Sequence, residues 1–162
     1  MIRTGRPEDA AEMAAIFNHY VKTSTVIFSN KVLTKEDMKH KIESLGVGSE
    51  FPFLVDEENG ELTGYCYAHR WMPDPVYGRS WELTMYLSHR HLGKGIGSRL
   101  LEKLIEKCRD GGAHALIASI TEGNAASEKM CISAGFNLVG RLPEIGYKFG
   151  QYLNDVIYQK LL

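Results

Sequence analysis

The stretch Arg90-His91-Leu92-Gly93-Lys94-Gly95-Ile96-Gly97 sets three glycines and two fixed cations between an apolar run ending at Leu87 and a helix-patterned run starting near Ile96. Glycine lets a backbone approach a ligand and take up positive φ without a Cβ clash. A helix opening here leaves unpaired N–H groups and the positive end of its dipole at the turn. The chemistry of such a turn is anion binding, to a phosphate or pyrophosphate. Two familiar phosphate loops do not fit. The Gly-x-x-x-x-Gly-Lys-Ser/Thr spacing is absent, and Ser98 stands where the dinucleotide fingerprint needs its third glycine. A turn built only for packing carries the same glycines, so both readings stand at this level.

Other residues could also do chemistry. Glu82 lies in the run Trp81 to Leu87. A carboxylate there is either a solvated strand residue or a proton acceptor, and alternation alone does not choose its face. Asn124-x-x-Ser127 opens a second helical stretch, which also carries Cys131 and Ser133. The three cysteines, Cys66, Cys108 and Cys131, have no close spacing. They suit reduced thiols better than disulfides or zinc ligands, and no metal is expected.

The elements that position these residues alternate in kind. Ile2 to Thr4 reads as a strand, and a helix follows from Pro7 with Ala11, Ala14, Ala15, Phe17 and Val21 as its stripe. Val26-Ile27-Phe28 is an extended apolar patch. Thr34, with Asp37 behind it, caps a helix through about Leu45 that Gly46 and Gly48 end. Phe51 to Val55 and Leu62 to Trp71 are strands joined by the hairpin signal Asn59-Gly60. A proline-containing loop, Met72 to Arg79, leads into the strand Trp81 to Leu87. Ile96, Leu100, Leu101, Leu104 and Ile105 mark the clearest helix. The strand Ala115 to Ile120, a helix from Asn124 to Ala134, and strands over Phe136 to Arg141 and Asp155 to Leu161 complete the chain.

The 162 residues fit one domain, 1–162, with 44% hydrophobic and 24% charged residues. A net charge of −1 gives no general attraction to nucleic acid or anionic membrane. No apolar run reaches the ~20 residues of a membrane span, and the first residues lack a signal-peptide core. A cytoplasmic location is the expectation.

The spacing Arg90-x-x-Gly93-x-Gly95-x-Gly97, with Asn124-x-x-Ser127 and Ala134-Gly135-Phe136 downstream, resembles the acyl-CoA site of the GNAT acetyltransferase superfamily. Gly64 to Ala68, Glu82 to Leu87 and the tail Gly146 to Asp155 are similar to its phosphinothricin and methionine sulfone acetyltransferase branch. The resemblance implies an α/β (α+β) fold, a mixed and mostly antiparallel sheet splayed in the middle with helices on both faces. It implies acetyl-CoA as co-substrate. Met85, Tyr86 and Leu87 would meet the pantetheine arm, and a bulge in their strand would free an N–H for the thioester carbonyl. Arg90, Gly93, Lys94, Gly95, Ile96, Gly97 and Ser98 would take the pyrophosphate. Asn124 would bond the pantetheine or the acetyl region, and the helix carrying Ser127 to Ser133 would flank the thiol end. Glu82 matches the branch's catalytic glutamate. Cys131 stands where many members carry a tyrosine that protonates the leaving thiolate.

On the substrate side, Phe28, Met72, Pro73, Asp74 and Arg79 join Glu82 as candidate pocket residues. Arg79 would pair with a substrate carboxylate, and Asp74 would repel an anionic phosphinate. The expected reaction is acetyl transfer to the amino group of a small amino-acid-like amine, of the methionine sulfone, methionine sulfoximine or phosphinothricin type. An acyl-CoA sensor and a peptide N-acetyltransferase are the competing readings. The likeness also implies a homodimer.

Overall fold

The computed structural model describes residues 1–46 and 49–162. Seven strands form one sheet in the order β1-β2-β3-β4-β5-β7-β6. They are β1 (Ile2–Thr4), β2 (Phe53–Glu58), β3 (Glu61–Arg70), β4 (Ser80–Leu87), β5 (Ala115–Thr121), β6 (Asn137–Lys148) and β7 (Gln151–Leu161). Among the described residues four α-helices cover it: α1 (Ala10–Thr23), α2 (Lys35–Leu45), α3 (Ile96–Asp110) and α4 (Ala125–Ser133). Every neighbouring pair is antiparallel except β4 and β5, which run parallel. This is the mixed, mostly antiparallel architecture expected from the sequence. Among the described residues no helix is long and apolar enough to cross a membrane.

Local chemistry accounts for most boundaries. Thr34 accepts from the Asp37 N–H while Asp37 accepts from the Thr34 N–H, a reciprocal cap that starts α2. Gly46 ends that helix; Gly48, expected to share the role, lies outside the described residues. Asn59 and Gly60 both have positive φ, the turn that joins β2 to β3.

Two cores lie on opposite faces. Trp81 and Leu83 of β4 pack with Leu100, Leu104 and Cys108 of α3. Met13, Phe17, Met38 and Ile42 of α1 and α2 pack with Tyr65 and Tyr67 of β3 on the other face. Met85 and Leu87 join the α3 side and Tyr86 the α1 side, so β4 alternates regularly between the two.

Three local readings are corrected. Helix α1 buries Ala10, Met13, Ala14, Ile16, Phe17 and Val21, whereas Ala11 and Ala15 face solvent. Alanine suits either side of a helix, so it left the phase undetermined. The strand placed at Phe51 starts two residues later, at Phe53. The two closing strands form one long hairpin through residues 142–154, turning at Phe149 and Gly150, both of positive φ. Pro143 is tolerated within β6 because it is an edge strand whose register shifts between Leu142 and Gly146.

Candidate active site

Strands β4 and β5 pair over only three positions, from Ser80↔Ala115 to Glu82↔Ile117. Both continue beyond that point, β4 to Leu87 and β5 to Thr121, and the space between them is a cleft of about 460 Å³. It passes through the sheet. Leu101, Leu104, Met130 and Cys131 line it from the α3–α4 side; Tyr20, Val26, Ile27 and Phe28 line it from the α1 side.

The peptide groups at the splay follow from alternation. The Ser80 carbonyl accepts from Trp71, and the Ser88 N–H donates to Thr63, so the even-numbered residues of β4 spend their peptide groups on the β3 edge. Met85 and Leu87 turn theirs to the open edge. The Leu87 carbonyl already accepts from the Tyr20 hydroxyl at 2.8 Å. That leaves the Met85 N–H and C=O and the Leu87 N–H as a short unpaired strand edge. Tyr86 contributes a side chain to the lining, not a peptide group. The expected bulge is absent among these residues, since β3 and β4 pair without interruption from Gly64↔Leu87 to Arg70↔Trp81. The parting of the strands exposes the N–H groups instead.

Glu82 sits where the strands part. Its side chain shares the Tyr86 face and lines the cleft. Burial raises its carboxyl above the usual range; His69 opposes the rise and Asp155 adds to it. Asp155, on β7, lines the same cleft and is itself raised by burial while the Ser119 hydroxyl donates to it. Sequence reading passed over Asp155, and also Tyr20, Thr84, Ser119, Thr121 and Met130, which line the cleft. Only tertiary contacts bring them there. The segment carrying Val26 to Phe28 is held by Thr121, which donates to the Thr25 carbonyl at 3.0 Å. Buried Lys148 donates to the Ser24 and Ile27 carbonyls at 2.7 and 3.0 Å.

The glycine turn follows Leu87 and Leu92, which line the cleft; Arg90, Lys94, Ile96 and the glycines Gly93, Gly95 and Gly97 are not among the lining residues. Gly93 and Gly95 have φ of 77° and 71°, and an added Cβ at Gly93 would meet nothing within 4 Å. Gly95 is the N-cap of α3 with no side-chain cap, so the first N–H groups of the helix stay open. Gly97 is different: a Cβ there would come within 2.9 Å of the Met130 sulfur and 3.0 Å of a Leu87 methyl. Arg90 and Lys94 flank the turn in loose surface pairs with Glu61 and Glu58, at 3.7 and 3.8 Å. Such pairs are worth under about 1 kcal/mol and yield readily to a phosphate. An extended acyl-CoA fits these features, its arm on the open strand edge and its pyrophosphate at the turn.

The remaining candidates divide. Asn124 and Ser127 line the cleft, and the Asn124 side chain caps α4 by accepting from the Ser127 N–H. Ser98 and Ser133 fall outside it, on a second hollow between α3 and α4 with Glu102 and Lys160. Cys131 lines the cleft, and burial pushes its thiol up to about 11. Phe28 lines the cleft, but Met72, Pro73, Asp74 and Arg79 do not. Asp74 instead accepts from the Val76 N–H to start a turn of 3₁₀ helix, Pro75–Tyr77. The Arg79 carbonyl accepts from the His114 and Ala115 N–H groups. No three His, Cys, Asp or Glu side chains converge as a metal-holding group among the described residues.

Known proteins carry the same fold and sequence pattern. The acetyltransferase (GNAT) domain matches residues 2–157. An L-amino acid N-acyltransferase of Escherichia coli is 34% identical over 99% of this chain and 92% of its own length. An L-methionine sulfoximine/L-methionine sulfone acetyltransferase of Salmonella typhimurium is 32% identical over 99% and 92%. A phosphinothricin N-acetyltransferase of Alcaligenes faecalis is 32% identical over 99% and 82%. An acetyltransferase from Salmonella typhimurium solved with its cofactor acetyl-CoA superposes with a TM-score of 0.95 at 32% identity, covering 100% of this chain and 93% of that one. With a splayed sheet and a glycine turn at the head of α3, matched over nearly its whole length, the chain belongs to the GNAT acetyltransferase family and its chemistry is N-acetyl transfer from acetyl-CoA.

Proposed function

We propose that the chain acetylates the amino group of a small amino-acid-like substrate, with Glu82 as the base. The observation that carries this reading is the position of Glu82 at the point where β4 and β5 part, on the face opposite the glycine-turn helix. Acetyl-CoA enters along the open β4 edge, with Met85, Leu87, Asn124 and Ser127 on its arm. Arg90 and the turn from Gly93 to Gly97 take its pyrophosphate. The amine approaches from the side of Tyr20 and Phe28. A free α-amino group titrates near ~8, so at neutral pH most of it must first lose a proton. A carboxylate raised by burial is a better acceptor than an exposed one. The neutral amine then attacks the thioester carbonyl, and as the intermediate collapses the coenzyme A thiolate leaves and takes up the second proton that the nitrogen sheds in becoming the amide.

Among the described residues, those lining the cleft include two carboxylates, Glu82 and Asp155, and no lysine or arginine. This charge favours a cationic amine with a neutral, sulfone-like side chain over an anionic phosphinate. Methionine sulfone and methionine sulfoximine are therefore preferred over phosphinothricin. Thiol release from acetyl-CoA with these three amines, spermidine and a short peptide tests the reading. Turnover with the two methionine derivatives is the expected result. Turnover with the peptide alone would replace it, and acetyl-CoA binding without any turnover would support a sensor.

Cys131 serves this chemistry as cleft wall. A thiol near 11 is a weaker acid than an ordinary thiol at ~8.5, so it does not protonate the leaving thiolate downhill. Cys131→Ser is expected to keep kcat within about twofold. A tenfold loss with acetyl-CoA binding intact would make the thiol a proton donor after all.

The assembly is proposed to be a homodimer through edge strand β6. Its apolar side chains Leu138, Val139, Ile145 and Tyr147 are each more than half exposed. An apolar, unpaired edge of this length calls for a partner. Ile145→Lys is expected to halve the mass measured by light scattering. An unchanged mass would move the interface elsewhere.

A further inference from the structure

We propose that His69 positions the Glu82 carboxylate and carries its proton to solvent, an inference that rests on Glu82 being the base. His69 lies on β3 directly opposite Glu82 in the β3–β4 register. Its Nε2 stands 3.6 Å from a Glu82 oxygen. The imidazole is not among the residues lining the cleft, so it sits behind the carboxylate, away from the reacting amine. The two side chains are 32% and 23% exposed, which makes the pair a short path from the half-buried base to water.

The tautomer follows from the other ring nitrogen. Nδ1 lies 3.0 Å from the Arg70 carbonyl, which can only accept, so Nδ1 carries a hydrogen. The Nε2 lone pair is then free toward Glu82. That arrangement fixes the ring and leaves it ready to receive. In the forward step the amine gives its proton to a Glu82 oxygen and becomes the nucleophile. The Glu82 O–H then passes the proton to Nε2, restoring the carboxylate and leaving an imidazolium. The imidazolium releases the same proton to bulk water. No other reactant is needed, and imidazole is the side chain that ordinarily exchanges protons near neutrality.

The surroundings leave this role to His69. Tyr67 of β3 neighbours the imidazole, and its hydroxyl accepts from Lys41 of α2 at 3.2 Å. Tyr86 neighbours Glu82 on its own strand, and Asp155 faces it from β7, bonded to Ser119. Arg70 is turned to Glu50 at 3.2 Å. His69 is thus the group beside Glu82 that can both accept its proton and reach solvent.

The sign of the pH effect is fixed. An imidazolium beside Glu82 favours the carboxylate, so removing it raises the carboxyl and moves the acid limb of the rate profile to higher pH. With methionine sulfone and acetyl-CoA, His69→Gln is expected to lose about tenfold in kcat, with both KM values kept. Its acid limb should shift to higher pH, because the imidazolium that favours the carboxylate is gone. Free imidazole in the buffer is expected to restore part of the rate of His69→Ala. A second measurement needs no substrate: in proton NMR at one fixed pH, the His69 ring signals should shift in Glu82→Gln. Unshifted ring signals, or a His69→Gln enzyme with unchanged kcat and acid limb, would overturn the proposal while an inactive Glu82→Gln enzyme kept the base in place. Full activity in Glu82→Gln would instead remove the base, and the His69 role with it.

Discussion

Glu82→Gln is expected to bind acetyl-CoA as the parent does and to lose about 100- to 10,000-fold in kcat, the usual contribution of a general base. The amide keeps the volume of the side chain, so the splay and its lining are undisturbed. What goes is the acceptor for the amine proton. The pH profile identifies the loss. A base works only when deprotonated, and burial raises the Glu82 carboxyl from its ordinary value. The parent rate should therefore rise with pH through an acid limb lying above 4.5, the ordinary value of that carboxyl. In the variant that limb should vanish, and the residual rate should follow only the fraction of amine that is already neutral. The deficit is then greatest near neutrality and shrinks at alkaline pH. A deficit independent of pH would make Glu82 a binding residue, and no deficit would move the base elsewhere, with Asp155 the next carboxylate in the cleft.

The features legible beforehand are those whose cause is local. The Thr34–Asp37 cap, the Asn59-Gly60 turn and the apolar stripe of α3 each depend on a few neighbouring residues, and each lies where the sequence places it. The glycine turn belongs to the same class, because positive φ at Gly93 and Gly95 is a property of those residues. Glu82 was legible through its match to a family pattern, since strand alternation alone does not reveal which face borders a cleft. The far wall of the cleft was hidden for the opposite reason. Thr121 reaches Thr25 across 96 positions, and Lys148 reaches Ser24 across 124. No periodicity encodes such contacts. The β3–β4 loop carries Asp74 and Arg79, whose charges suit a substrate; neither lines the cleft, Asp74 caps a turn and the Arg79 carbonyl anchors β5. The closing strands were read as two short pieces, whereas β6 and β7 run on as one hairpin; Pro143 is accommodated in it at a sheet edge and beside a register shift.

Gly97→Val is expected to abolish the stabilisation that acetyl-CoA gives to the fold. The cause is steric and lies inside the cleft. The first atom of any side chain at this position falls 2.9 Å from the Met130 sulfur and 3.0 Å from a Leu87 methyl. Met130 can swing away, since its side chain is long and unbranched. Leu87 has less freedom, because its strand is paired to β3 and its carbonyl is held by Tyr20. Both residues line the cleft, so the valine methyls push its walls into the channel where the pantetheine arm would lie. Overpacking of this kind costs about 1–3 kcal/mol, or a fall of roughly 3–10 °C in Tm for a chain of this size. A saturating ligand at a hundred times its Kd normally adds about 2.7 kcal/mol, and that increment is what the variant should lose. Gly112→Ala separates the two effects. Gly112 also has positive φ, 88°, with nothing within 4 Å of an added Cβ, and it lies just past the far end of α3. Alanine there should lower Tm through backbone strain of about 1 kcal/mol yet keep the full acetyl-CoA increment. If Gly97→Val also keeps that increment, Leu87 and Met130 do not border the coenzyme, and the open edge of β4 is not where its arm lies.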